Sequence, residues 1–486
     1  MAVSEEVERG VPIREGEYGE RVAAIEPGGI EYIADDERHG RPLDLFWTWM
    51  SPNLEFATIF VGVIPVALLG GGFWTGVAAV VVGTALGSLT HAILSSWGPK
   101  FGVPQLVESR SAFGYWGNLV PAGLQSITAS IGWFIVNSVS GAFALQTLFG
   151  LLTLPEIPFG LAFGIIVVAQ VAVAFFGYNM AHTFERYVFP YLTVVFALCL
   201  VFILAKSNFG QGLNPKVNGP LGESGAFILG AMAAYGYAVG WNPYASDYTR
   251  YLPRTASRLR TGLAAGLGVF VACVVLEIMG AALATVAGTK WGPTDNPTAQ
   301  FSFALPTWLA ILANLGIALG AVAANVINIY SGALSFLTLN IRLPFRQRRA
   351  LVAVAAGIIG LAIGIIFQAQ VGPGGKYDAF LLLISYWISP FLGVVLTDYV
   401  IRRGRIRESI FFDPRHQPWK GLVAFLAGIV VGIPFWNQPT FYVGPVPANN
   451  PALGDLTFIV GFVVAAAVNV VLNLGTRSRS AAESST

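Results

Sequence analysis

Charge is scarce in this chain. Asp, Glu, Lys and Arg make up only 11% of its 486 residues, less than half the roughly 25% of an average soluble protein. So little charge cannot cover a water-facing surface, which excludes a soluble globular domain. Cysteine is scarcer still. Cys199 and Cys273 are the whole complement, and both fall inside apolar runs, which excludes a disulfide scaffold and a thiolate zinc site. The four histidines, His39, His91, His182 and His416, stand in the tail or at the ends of apolar runs without metal-ligand spacing. No nucleophile motif accompanies them, so a membrane-embedded enzyme is only a remote alternative. Residues 1–43 are polar and lack an apolar signal region, so the sequence predicts no cleaved signal peptide. It predicts instead a partly disordered arm.

Hydrophobic residues make up 55% of the chain. About 20 apolar residues are needed to cross roughly 30 Å of hydrocarbon as a helix, and the sequence offers twelve such runs. They lie near 44–70, 73–97, 118–149, 158–178, 184–206, 225–250, 261–288, 306–340, 347–369, 377–401, 420–437 and 453–475. An even number places both termini on one side. Seventeen Lys and Arg fall in one set of loops and only Lys206, Lys216, Lys290 and Lys376 in the other. By the retention of positive loops, both termini are expected in the cytoplasm of a multi-pass plasma-membrane protein. Topology thus accounts for the basic residues, and nothing in their placement suggests nucleic-acid binding. The lipid bilayer is the expected surrounding and a monomer the expected functional unit.

Two of the twelve runs carry breakers at membrane depth. The first reads FWTWMSPNLEFATIF, in which Pro52 lacks an amide donor, Ser51 and Asn53 offer side-chain bonds, and Glu55 is ionisable. The sixth reads GAFILGAMAAYGYAVGWNPYASDYTRYLP. Counting from Gly225 at about 1.5 Å per residue puts Gly236, Tyr237 and Ala238 roughly 16 Å deep. Irregular backbone is tolerated there only against protein or a wet cavity. Interrupted helices at corresponding places in two halves point to an inverted-repeat transporter with its site at the midplane.

The run WNPYASDYTRYLP, with RSAFGYWGNLVP and GWFIVN around the third span, FGYNMAHTFERY before the fifth, ANVINIYSG in the eighth and SYWISPFLGVVLTDYVIRR in the tenth, closely resembles the purine-cytosine permease branch of the nucleobase:cation symporter family. The resemblance extends over nearly all of the chain from Asp44. It implies an all-α leucine-transporter fold: ten core helices in two inverted repeats, about 44–206 and 225–402, within a core of 44–404. Two peripheral helices over 405–475 and a short tail, 476–486, would follow. It also implies a small-molecule substrate, a nucleobase, whose ring stacks between an aromatic of the third helix and the broken sixth. The family's GWFxxQ pattern appears here as Gly132, Trp133, Phe134 and, in place of the Gln, the shorter Asn137. Trp133 offers an indole face worth on the order of 1 kcal/mol to a flat ring beyond area burial. Asn137, one turn on, both donates and accepts. Ser130 is a weaker candidate. In the sixth span Gly236, Tyr237 and Ala238 are expected to be unwound, with Tyr237 facing Trp133 and Tyr235 its rival. Asn325 and Asn328 of the eighth share a face and serve either the substrate or interhelical packing.

No cofactor is implied beyond a coupling ion. Sodium-coupled relatives hold Na⁺ between carbonyls of the broken first helix and two hydroxyls of the eighth, positions that fall here on Ala323 and Ala324. Carbonyls from Trp49 to Asn53 remain, so sodium stays possible, but H⁺ carried by Glu55 is the first expectation, because an acid at membrane depth is a functional candidate. Glu277 is the other buried acid of this reading, expected to be structural. Trp241 and Pro243 are expected to bend the lower half of the sixth helix, and Asp247 and Arg250 to form a latch or an interfacial pair. Tyr248, Arg250, Tyr251 and Arg254 are expected at the water interface. The expected activity is uptake of cytosine or a purine. Allantoin, hydantoin, thiamine or a pyridine derivative are the alternatives.

Overall fold

A computed structural model describes residues 12–14, 18–292, 295–341, 348–367, 377–439 and 441–483. It is built almost wholly of helices, with one two-residue antiparallel ribbon pairing Asn437 with Val443 and Gln438 with Tyr442. Pro52 breaks α1 as its missing amide requires. The first half, Asp44–Met50, passes through a tight turn over Ser51–Asn53, and the second half resumes at Phe56–Val63. Glu55 between them has extended backbone (φ −142°, ψ 173°), and the halves are bent by 64°.

The remaining spans are α2 (Phe73–Ser95), α3 (Leu119–Leu151, with a widened turn over Thr128–Trp133), α4 (Phe159–Phe176) and α5 (Tyr178–Leu204). Next come α6 (Gly222–Val239, then Ala245–Thr249), α7 (Arg258–Leu283), α8 (Thr307–Leu337) and α9 (Arg348–Phe367). Finally α10 (Tyr377–Ile401), α11 (Trp419–Gly432) and α12 (Thr457–Glu483) complete the set. Among the described residues, eight of the twelve are long and apolar enough to cross a membrane unaided, α1 does so as a bent pair, and α9 and α11 are shorter apolar helices.

The helices pack as two groups. In one, α1, α2, α6 and α7 make mutual contact; in the other, α8 is surrounded by α3, α4, α5 and α9. Glycines set how closely the first group approaches. A Cβ at Gly62 of α1 would lie 1.7 Å from the Glu277 carbonyl of α7, and one at Gly83 of α2 would lie 2.1 Å from the Ala231 carbonyl of α6. Lipid tails are as apolar as the side chains, so there is no hydrophobic drive between helices and such close packing is one of the attractions that remain in a bilayer. α10 packs on α6, α11 and α12.

The N-terminal segment, expected as a partly disordered arm, is packed from Tyr18 to Arg38 across one end of both groups. Tyr18, Glu26, Tyr32 and Ile33 are buried. The Ile33 amide donates to the Gly102 carbonyl at 3.1 Å and Arg38 Nη1 to the Pro99 carbonyl at 2.8 Å, which holds the segment to the loop after α2. At Gly177, whose φ of 105° only glycine adopts freely, the chain turns from α4 into α5. Glu26 spans that corner: its amide donates to the Phe176 carbonyl and its carboxylate accepts from the Tyr178 amide at 3.0 Å.

Candidate binding site

The two interruptions meet. Trp241, at the break of α6, donates its indole N–H to Asn53 Oδ1 at 2.8 Å, and Cys273 Sγ of α7 reaches the same oxygen at 3.3 Å. Asn53 Nδ2 in turn donates to the Trp49 carbonyl at 2.7 Å, the acceptor that an unbroken helix would pair with the Asn53 backbone amide. The side chain therefore supplies a donor to a carbonyl beside the break. The Asn53 carbonyl is likewise taken, by the Thr58 hydroxyl at 2.7 Å.

Beyond this knot the Glu55 side chain enters a buried polar pocket. Tyr237 of α6 donates to Glu55 Oε1 at 2.9 Å, and Thr58 Oγ1 lies 2.6 Å from the Tyr237 oxygen. Asn137 of α3 completes the surroundings, and its amide has two workable orientations. In one, Nδ2 donates to Asn325 Oδ1 of α8 at 3.0 Å and the amide oxygen faces the carboxyl. In the other, the amide nitrogen reaches both Glu55 oxygens at 3.2 Å and the oxygen accepts from Asn328 Nδ2 at 3.3 Å, at the cost of lying 3.0 Å from Asn325 Oδ1, a second acceptor. Hydrogen-bond demand couples these orientations to the proton on Glu55. An ionised Glu55 needs the donor, whereas a protonated one can donate to the amide oxygen and leave Nδ2 to Asn325.

An aromatic wall stands beside the acid. Trp133 packs edge to face against Tyr237 at 5.3 Å between ring centres and against Phe380 at 5.2 Å, and lies parallel to Trp241 at 6.5 Å. Gly240 makes room for it, since a Cβ there would sit 3.2 Å from two indole atoms. Toward the end opposite the N-terminal segment, Tyr377 of α10 covers Trp133 and donates its hydroxyl to the Ala57 carbonyl at 3.2 Å. A narrow cleft continues outward from Tyr377, lined by Phe56, Phe60, Val136, Ser140 and Phe143 among others.

The break of α6 lies later than the sequence suggests, and the other candidates take the following places. Gly236, Tyr237 and Ala238 are helical; the break of α6 falls at Gly240 and Trp241, followed by a tight turn over Asn242–Tyr244 that contains Pro243. Gly236 admits α10, because a Cβ there would meet the Leu381 carbonyl at 2.3 Å, and Ala238 packs against Gly87 of α2. Ser130 faces Gly332 of α8, away from the acid. Tyr235 pairs with Ser389 of α10, so Tyr237 alone of the two tyrosines meets Trp133. Asn325 is committed to the Phe134 carbonyl, Ser138 and Gln170 through Nδ2, and Asn328 accepts from Tyr244 at 3.4 Å. Ala323 and Ala324 are buried in α8. Glu277 accepts from Thr84 at 2.6 Å, bridging α7 to α2.

The Asp247–Arg250 latch does not form through side chains. Asp247 accepts from the Gln105 amide at 3.0 Å, while Arg250 donates to the Asp247 carbonyl, to Gly29 and to Tyr330, and lies 3.6 Å from Glu26. Tyr248, Arg250 and Tyr251, expected at the water interface, are buried, with Glu26, Gly29 and His39 of the N-terminal segment bonded to Arg250 and Tyr251; Arg254 is exposed and pairs with Glu408. The sequence reading missed Thr58, Tyr377, Phe380 and Gln170. Tyr377 and Phe380 open the tenth span with two aromatics one turn apart, a signal that was available.

Two broken helices of one group, an aromatic wall that α3 and α10 bring against them and a buried acid at their crossing define a membrane transporter of the leucine-transporter architecture. A structure of Mhp1, a nucleobase-cation-symport-1 family transporter closed on bromovinylhydantoin, superposes with a TM-score of 0.69 over 92% of this chain and 93% of its own, at 19% identity. A family model described as permease for cytosine/purines, uracil, thiamine, allantoin matches residues 32–461, and the chain belongs to that family. Similar relatives are the putative purine-cytosine permease YxlA of Bacillus subtilis, 27% identical over 92% of this chain and 96% of its own, and the purine-cytosine permease fcyB of Emericella nidulans, 29% identical over 92% and 88%.

Proposed function

We propose that this permease imports a nucleobase, cytosine or a purine, by alternating access coupled to protons, as a monomer in the cytoplasmic membrane with both termini inside. The observation that carries the reading is Tyr237, whose ring meets Trp133 and whose hydroxyl bonds Glu55 next to Asn137. A flat heterocycle stacked on the indole would present its mixed donor and acceptor edge to a carboxyl and an amide, each able to donate or accept according to one proton. Substrate and proton then compete for, or share, one hydrogen-bond network. The purine-cytosine permeases among the relatives agree with that chemistry.

Protons are favoured over sodium by what the ligand positions hold. A sodium ion needs several free oxygens at short range. Ala323 and Ala324 bring no hydroxyl, and the carbonyls of Trp49 and Asn53 are already engaged by Asn53 Nδ2 and Thr58. A second reading, a permease for another planar heterocycle such as allantoin, hydantoin, thiamine or a pyridine derivative, rests on Asn137. Its amide is short and already shared with Asn325, and stacking alone accepts any flat ring. Uptake of radiolabelled cytosine and adenine, with unlabelled competitors, at several pH values with and without sodium, tests both readings. Competition only by non-nucleobases would overturn the substrate assignment. A sodium requirement would overturn the ion.

A further inference from the structure

A second acid lies between the binding site and the end sealed by the N-terminal segment. Glu185 sits two turns into α5, about 10 Å along the axis from Tyr178 at 1.5 Å per residue. α5 packs there on both the first half of α1 and the Ser51–Asn53 turn. Glu185 is fully buried, and neither of its carboxyl oxygens completes a hydrogen bond to a described residue. The Ser51 hydroxyl is the group placed to hydrogen-bond it, short of good geometry, and the Tyr248 phenol of α6 lies close enough to feel its charge. Both of those hydroxyls are buried and likewise unsatisfied.

Among the described residues no Lys, Arg or other acid faces it. On its own helix His182 is turned to Thr48 of α1, at 2.9 Å; Arg186 bears on that histidine and not on Glu185. From α7, Cys273 is directed at Asn53, and from α8, Tyr330 is directed at Arg250 and Glu26. This contrasts with Glu55, which has a phenol donor and an amide. An ionised carboxylate with no partner in the interior costs several kcal/mol, and the cheaper state is the neutral acid.

We propose that Glu185 is a proton-carrying residue of the transport cycle, loaded in the conformation described here. Its place matters as much as its isolation. It abuts the turn that breaks α1, so a movement of the α1 half Asp44–Met50 away from α5 would admit water from the end carrying the N-terminus. The Glu185 O–H bond then breaks, the proton passes to water, and the carboxylate left behind is solvated by water and by the Ser51 and Tyr248 hydroxyls. Closure of the same seam expels that water and requires a proton to be taken back first. Movement of α1 and loss of the proton are thereby linked, without Glu185 touching the substrate.

The proposal rests on the proton-coupled reading above, and one experiment separates the two. Purified wild type, Glu185→Gln and Glu185→Asp are placed in liposomes, and three quantities are measured: substrate-for-substrate exchange, KM, and accumulation driven by an imposed pH gradient without sodium. Gln mimics the loaded acid, so exchange and KM are expected within about twofold of wild type while pH-driven accumulation falls at least tenfold. Asp is expected to recover a substantial part of it. Wild type that ignores the pH gradient would overturn proton coupling, and this proposal with it. Wild type that responds, with Glu185→Gln accumulating equally, would overturn the role of Glu185 alone. Should Glu185→Gln fail to exchange, carboxylic C=O infrared bands of the wild type decide. A band from a protonated acid that survives Glu55→Gln, moves in Glu185→Asp and shifts with pH supports the proposal, and its absence overturns it.

Discussion

Glu55 is held by a phenol and an amide and, among the described residues, by no cation, so its charge is governed by what occupies the site and not by a fixed ion pair. That makes Glu55→Gln a sharp test. The variant keeps the shape of the group but presents a permanent donor, and it is expected to abolish uphill, pH-dependent uptake while permitting exchange, with KM altered as well because Asn137 is then fixed in the orientation that accepts. Uphill uptake with wild-type proton stoichiometry would disprove the assignment. Trp133 is tested by ring size. Trp133→Ala removes a face worth on the order of 1 kcal/mol and is expected to raise KM about fivefold or more in radiolabel uptake, with Trp133→Phe between. Both residues were legible in the sequence, Glu55 as an acid beside a helix breaker and Trp133 as an aromatic too deep for an interfacial belt. Thr58 was not, because a threonine inside an apolar run has no signature until Tyr237 is placed 2.6 Å from it.

Helices reveal where sequence patterns mislead. The break of α1 was legible because proline removes a donor wherever it stands, and the structure bends there by 64°. The break of α6 was placed too early, because Gly236 was taken as a site of unwound backbone when its hydrogen atom is what lets α10 approach. That role depends on Leu381, 145 positions later in the chain, and nothing near Gly236 announces it. A methyl group at Gly236 would lie 2.3 Å from the Leu381 carbonyl, and one at Gly62 would lie 1.7 Å from the Glu277 carbonyl. Both neighbours are backbone and cannot swing aside, so overpacking of about 1–3 kcal/mol or more is expected for each alanine variant. Gly62→Ala should lower the melting temperature of the purified protein more than Gly236→Ala, whereas Gly164→Ala, whose Cβ would meet nothing within 4 Å, should leave it unchanged. Equal melting of all three would mean that the helices do not rest on these glycines.

At the scale of the whole molecule the N-terminal segment joins what the two groups of helices would otherwise leave separable. Glu26 touches Tyr178 at the α4–α5 corner, Tyr330 of α8, and Tyr251 and Arg250 of α6, so one carboxylate links elements of both groups. Composition hid this. A run such as DDERHGRP reads as a solvated arm, and only the tyrosines at 18 and 32, large residues buried to 1% exposure or less, hinted at packing. The consequence is energetic: any opening at this end must separate Glu26 from the fully buried Arg250, and a buried pair broken by removing one partner costs about 3–5 kcal/mol. Glu26→Ala is therefore expected to favour the open end. A cysteine introduced at Ser246, which lies fully buried between that end and the binding site, should react with a water-soluble maleimide at least tenfold faster in the Glu26→Ala background than in its absence. Glu26→Gln, which keeps the hydrogen bonds but not the charge, should fall between. Unchanged labelling in both backgrounds would show that Glu26 is only carried along with the helices, and that their own packing closes this end.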